Sequence, residues 1–283
     1  MQRVEPKIPG RLFRTGRPGR IAISAIAGWA LASTGCQVSP VPRGIEELHT
    51  EAGHVAGAME PFLEEGDIIF RLSRIEVVNG LADFGRLVSY WTDSPFSHVG
   101  MVYRKTPDLT VMVDTSTYGI ERKSLVDWCI QGPRHVVVKR LKPEYRHLLP
   151  AVMAQMEALV RKDVLYNETF GKTVEDRYYC TEIVDLCFRN AGHPLAPRVK
   201  IGDLPNIKHS QLFYGALGAT RGISLNTEVA VCGNETYGMF SSPMLYEVAN
   251  FIRYPQTGVE PGPEYLARVT FNSGGPAHAL NQP

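Results

Sequence analysis

Apolar and polar positions change period along the chain, and the change marks the expected elements. Gly66-Asp67 is a turn signal, and the apolar run Ile68-Ile69-Phe70 after it suits a short strand. Ser97–Tyr103 (SHVGMVY), Leu109–Asp114 (LTVMVD) and Arg134–Leu141 (RHVVVKRL) are rich in β-branched and aromatic residues and read as three more strands. Gly119-Ile120 ends the turn after the third. Short connections make the expected sheet antiparallel. Over residues 150–165 the period becomes helical: Val152, Met153, Met156, Leu159 and Val160 share one face, behind Pro150 in the first turn. A second helix is expected from Cys180 to Asn190, with Ile183, Val184, Cys187 and Phe188 on one face and Ala191-Gly192 as its stop. A third is expected from Pro243 to Ile252, capped by Ser242. Residues 256–283 hold Gly, Pro and Asn with little apolar pattern and read as a disordered tail. The fold class implied is α+β.

The first 36 residues stand apart. Arg3, Lys7, Arg11, Arg14, Arg17 and Arg20 precede the apolar run Ile21–Ala32, and Ser33-Thr34-Gly35-Cys36 follows. A basic region, a short apolar region and small residues in that order describe an export signal. The apolar run is shorter than the roughly 20 residues that span a bilayer. Gly35-Cys36 is similar to the end of a bacterial lipoprotein signal, in which the cysteine is lipidated, although Ser33 stands where Leu is usual. The expectation is an exported protein of the cell envelope, with a lipid on Cys36 as one form of the signal and an N-terminal anchor or an ordinary secretory signal cut near Ala32-Ser33 as the alternatives. Residues 37–60, with Pro40 and Pro42 and little periodicity, read as a tether, and the folded domain is expected over 61–255.

Composition narrows the chemistry. The net charge of +1 and the sparse Lys200, Lys208 and Arg221 give no nucleic-acid stripe. The five cysteines (Cys36, Cys129, Cys180, Cys187 and Cys232) contain no C-x-x-C pair, which argues against a zinc ribbon, and their odd number and irregular spacing argue against a disulfide framework. His135, His147, His193, His209 and His278 show no metal-ligand spacing. Gly215, Gly218 and Gly222 lack the strand and helix that flank a phosphate loop. No cofactor and no metal is called for.

Three residues carry candidate chemistry. Cys180 opens the apolar helix TEIVDLCFRNAG, so its thiol meets unpaired backbone N–H groups and the positive end of the helix dipole. Both favour a thiolate nucleophile, and the same N–H groups can face an oxyanion. Cys187, on the same helix, has the position of an ordinary buried cysteine. His98 lies on a strand beside Gly100 and is of the type used as a general base. Asp114 closes the next strand, where a carboxylate can orient the imidazole if the two strands pair; Glu121 replaces it if the register differs.

The order of these segments resembles a known family. Gly66-Asp67-Ile68-Ile69-Phe70-Arg71, Ser97-His98-Val99-Gly100, Val113-Asp114 with Gly119-Ile120, and Tyr179-Cys180-Thr181-Glu182-Ile183-Val184 resemble the permuted papain-like (YiiX/YaeF-like) branch of the NlpC cysteine hydrolase superfamily, related to lecithin:retinol acyltransferase. That branch places the histidine strand before the cysteine helix, as here. The resemblance runs over roughly Pro61 to Tyr254. It implies an antiparallel sheet packed against the helix that carries the nucleophile, with Cys180 as nucleophile, His98 as base and Asp114 where relatives commonly carry Glu. It also implies that Tyr179 shapes the substrate site. Thr181 stands where relatives often carry Ser, and Tyr166-Asn167-Phe170 resembles a Tyr-Asp-x-x-Phe stretch with Asn in place of Asp. The activity implied is cleavage of an amide or ester bond in an envelope peptide or lipid through an acyl-thioester. Acyl transfer to a lipid acceptor, or a catalytically silent lipoprotein used for binding, are the competing expectations.

Overall fold

A computed structural model describes residues 45–73, 76–77, 82–106, 109–116, 119–132, 135–162, 164–167, 176–210 and 224–252. The expected export signal, Cys36, the tail and the 215–222 glycine cluster lie outside the described residues.

Six strands form one antiparallel sheet: β1 (Ile68–Arg71), β2 (His98–Thr106), β3 (Leu109–Ser116), β4 (Gly119–Ser124), β5 (His135–Leu141) and β6 (Leu245–Ile252). Their order across the sheet is β6-β5-β1-β2-β3-β4, so β1 and β2 lie near the centre. Side chains alternate between two faces. On the first face Ile68, Phe70, Val99, Met101, Val113 and Val137 pack against α4 (Leu149–Lys162) and α5 (Cys180–Asn190). On the second, Ile69, Val102, Met112, Val136 and Val138 pack against α1 (Ile45–Met59) and α3 (Leu125–Ile130). Helices therefore cover both faces, and each fully buried aliphatic or aromatic side chain contributes about 1.5–3 kcal/mol. A further helix, α2 (Phe84–Trp91), leads toward β2. The methionine stripe of α4 is core, with Met156 fully buried.

The Gly66-Asp67 turn is structural. Gly66 has φ of 86°, and its N–H donates to the Val102 carbonyl at 2.8 Å. The buried Asp67 carboxylate accepts from Arg140 Nε at 2.7 Å and Nη2 at 2.8 Å, which ties the entry of β1 to β5.

Two expectations are corrected. The helix expected over 243–252 is the edge strand β6, paired with β5. A bulge between Glu247 and Ala249 turns the chain over, so Leu245 joins the first core while Ala249 and Phe251 join the second. An extra residue in a strand breaks the period of two, and the apolar positions 245, 248, 249 and 252 then imitate helical spacing. Second, residues 45–59 belong to the folded domain rather than to a tether. Ala52, Val55, Ala56 and Met59 fall on one helical face and are buried against the second core. Small alanines make that stripe faint in the sequence.

Candidate active site

The register of the central strands gathers the polar residues. Arg71 pairs with His98 across β1 and β2, and Asp114 lies on β3, which pairs with β2. His98 Nε2 and Asp114 Oδ1 are 2.6 Å apart, and both side chains are buried. This contact occupies Nε2 and leaves Nδ1 as the nitrogen available to a thiol. Glu121, the alternative partner, pairs with Lys123 at 2.8 Å instead. Behind the carboxylate, Asp114 Oδ2 faces Arg71 Nη2 at 3.7 Å and Lys123 Nζ at 3.6 Å.

Cys180 is the first residue of α5 and is half-buried at the margin of the first core. The four cysteines among the described residues, Cys129, Cys180, Cys187 and Cys232, are free thiols. Cys187 is fully buried, as its position on the apolar face implies. Tyr179, at the N-cap, makes no side-chain bond to the first turn. The cap is supplied from inside the helix, because the Glu182 carboxylate accepts from the Tyr179 backbone N–H and from Asn167. This is one half of a capping box, and it gives Asn167 of the Tyr-Asn-x-x-Phe stretch a local structural role.

Charge couples these groups. Burial opposes a charge on His98, but Asp114 and Cys180 outweigh it, against a smaller opposing effect from Arg71, and push the imidazole up to about 9. Burial alone drives the Asp114 carboxyl upward, yet His98, Arg71 and Lys123 together hold it below its ordinary value. His98 is therefore an imidazolium at neutral pH. Its folded-state value lies above the ordinary 6.5, so the stability it contributes is complete below about 6.5 and is lost as pH rises through about 9. The His98 Cε1–H resonance is expected to titrate with a midpoint near 9. A midpoint near 6.5 in the folded protein contradicts this electrostatic picture.

Gly100 owes its place to packing. A Cβ there would stand 2.6 Å from Trp128 Nε1 and 3.2 Å from the Val113 carbonyl oxygen. Glycine at 100 makes room for the indole of α3, which in turn stacks on the Arg71 guanidinium at 4.2 Å.

Tyr179, expected to shape the substrate site, has a scaffolding role beside Cys180. It is buried among Trp91, Ile201, Leu204 and Val229, and its hydroxyl accepts from the Ala230 N–H at 2.9 Å. Thr181 donates to the Ala230 carbonyl at 2.7 Å. The residues on either side of Cys180 thus grip one residue of the 228–240 segment by its N–H and its carbonyl. A hydroxyl at 181 is what the second bond needs, so threonine serves there as serine would.

The same segment reaches the histidine side. Ser94 donates to the Gly233 carbonyl, Asn234 Nδ2 to the Asp93 carbonyl at 2.7 Å, and Tyr237 to the Thr92 carbonyl. The 228–240 segment therefore braces the approach to His98 and the start of α5 together. Sequence reasoning missed this brace and missed Arg71 as a site residue. The signals available were the turn-forming Cys-Gly-Asn-Glu-Thr-Tyr-Gly (232–238) and a lone arginine closing an apolar strand.

A family model described as permuted papain-like amidase enzyme, YaeF/YiiX, C92 family, matches residues 62–216. The chain belongs to this family. The C92 match contains Arg71, His98, Asp114 and Cys180 and ends before the 228–240 brace. Membership supports a hydrolase of amidase type. Among solved structures, the crystal structure of metalloprotein yiiX from Escherichia coli O157:H7 is similar, with a TM-score of 0.53 and 22% identity. The likeness covers 68% of this chain and 99% of that one, and it shows the shared fold. A search of curated proteins finds no match.

Proposed function

We propose that this C92-family chain is a cysteine hydrolase that opens an amide or ester bond of an envelope peptide or lipid through an acyl-thioester on Cys180. The observation that carries the reading is the 2.6 Å contact between His98 and Asp114, in a buried polar cluster coupled electrostatically to Cys180 at a helix N-terminus. The reacting form is an ion pair in which the Cys180 proton has already passed to His98, the imidazolium that Asp114 stabilises. The thiolate attacks the carbonyl carbon, and the Cys180 backbone N–H helps hold the oxyanion. When the tetrahedral species collapses, His98 returns its proton to the leaving amine or alcohol. Neutral His98 then takes a proton from the water that attacks the thioester, and the acid leaves with Cys180 restored.

Among the described residues no group of three or more His, Cys, Asp or Glu side chains could hold a metal ion.

Cys180→Ser is expected to keep the fold while turnover of an activated ester falls on the order of 10³-fold or more. Labelling by a thiol-reactive acyl probe is lost with it, and in the wild type the adduct maps to the peptide containing Cys180. Retained turnover and unchanged labelling end the proposal.

The envelope setting rests on the N-terminal pattern alone: six basic residues, the Ile21–Ala32 apolar run and Gly35-Cys36. The mature chain is expected to begin at a lipidated Cys36, and its intact mass reads this directly. An unmodified peptide running through Cys36 removes the lipid anchor from the account.

A further inference from the structure

Arg71 is the last residue of β1 and is wholly buried. Burying an arginine is costly unless its charge is paired. Its partners come from two sides. One Nη donates to the Trp128 carbonyl, the other donates to Gln131 Oε1 at 2.9 Å, and the guanidinium lies over the Trp128 ring at 4.2 Å. These contacts hold the side chain in one pose. The charge they hold faces Asp114 Oδ2 at 3.7 Å. The other carboxylate oxygen, Oδ1, is the one that meets His98.

We propose that Arg71 is a positioning residue for the Asp114–His98 pair: a fixed, buried cation that holds one carboxylate oxygen and presents the other to the histidine. The proposal rests on the reading of Cys180 and His98 as the reacting pair. The groups facing the carboxylate from each neighbouring element define what Arg71 adds. From β2 there is His98, and from β4 there is Lys123 at 3.6 Å, itself held by Glu121 at 2.8 Å. From α3, Cys129 lies near Arg71, and from α5, Cys180 does. Lys123 is partly exposed and water screens it; Arg71 is not screened. A guanidinium also keeps its charge over the whole working pH range. Arg71 therefore restrains Asp114 at every pH at which the enzyme works. It also opposes the imidazolium of His98 and so keeps the histidine from becoming too weak a proton donor.

Three variants test this: Arg71→Gln, Arg71→Met and Arg71→Lys. Removing the charge is expected to move the basic limb of kcat/KM upward by about one pH unit, because one cation near His98 is gone. The His98 NMR midpoint, which needs no substrate, moves in the same direction. Arg71→Met keeps the stem against Trp128 and makes the same comparison if Arg71→Gln does not fold. Arg71→Lys keeps the charge and loses the two-armed anchor. It is expected to leave the limb in place and lower kcat about tenfold, with KM within about twofold, as a misplaced orienting group does. Wild-type kcat in Arg71→Lys overturns the proposal, and so does an unmoved His98 midpoint in a folded neutral variant. Activity that survives Cys180→Ser overturns the reaction assigned to Cys180 instead, and leaves the NMR comparison standing.

Discussion

Asp114→Ala is expected to lose activity and stability together. The change removes the partner of His98 and leaves Arg71 buried without the carboxylate it faces. Breaking a buried ion pair from one side costs about 3–5 kcal/mol. In a domain of this size that lowers Tm by roughly 6–20 °C. Without its orienting carboxylate the imidazole loses both its pose and the charge that favours its protonated form. Turnover of an activated ester is expected to fall by about 10²–10⁴-fold, the range that a positioned acid–base group supplies. Asp114→Asn separates the two effects. It keeps the shape and a hydrogen-bonding side chain, so less stability is lost, while activity falls to a similar degree. Thermal melts beside kcat measurements check both. An Asp114→Ala protein that melts like the wild type contradicts the ion-pair geometry.

Gly100→Ala carries the second large effect, and it is steric. The added methyl meets the Trp128 indole at 2.6 Å, in a core where Trp128 is fully buried and has nowhere to go. Overpacking of this kind costs about 1–3 kcal/mol. The damage also travels. Trp128 stacks on Arg71 and accepts from it, and Arg71 faces Asp114, so a displaced indole disturbs the carboxylate that orients His98. Activity is expected to fall along with stability. Adding Trp128→Phe makes room for the methyl, so the double variant is expected to be more stable than the sum of the two single changes predicts. Strict additivity in urea melts argues against the clash.

The legible parts of the sequence were those where one physical rule acts alone. Four strands show β-branched and aromatic runs bounded by turns, and α4 and α5 show clean stripes. His98, Asp114 and Cys180 stand at a strand start, a strand end and a helix start, which are places where chemistry is easy to read. The rest was hidden where two rules overlap. In β6 the bulge at 247–249 adds one residue to a period of two and produces a helix-like pattern. In α1 the buried face is half alanine, so burial leaves little hydrophobic signal. Tyr179 adjoins Cys180 in sequence, yet its ring turns into a satellite core. Arg71 looks like a surface residue by type, and only the register shows that it lies beside Asp114. The brace at 228–240 acts through backbone groups of Ala230 and Gly233, which no residue type announces.

That brace has a consequence for the order in which the protein is made. Arg71, His98 and Asp114 are synthesised first, Cys180 follows, and Ala230, Gly233 and Tyr237 come in the last quarter of the chain. The bond from Ser94 to Gly233 closes a loop of 139 residues. Loop entropy grows only with the logarithm of length, so such a closure is tolerable at equilibrium, but non-local contacts form slowly. A chain halted before residue 228 holds every residue assigned to the reaction but not the segment that fastens them together. Until synthesis nears its end, the thiol and its histidine are joined only through the packing of α5 against the sheet, without the brace that ties the start of α5 to the approach to His98.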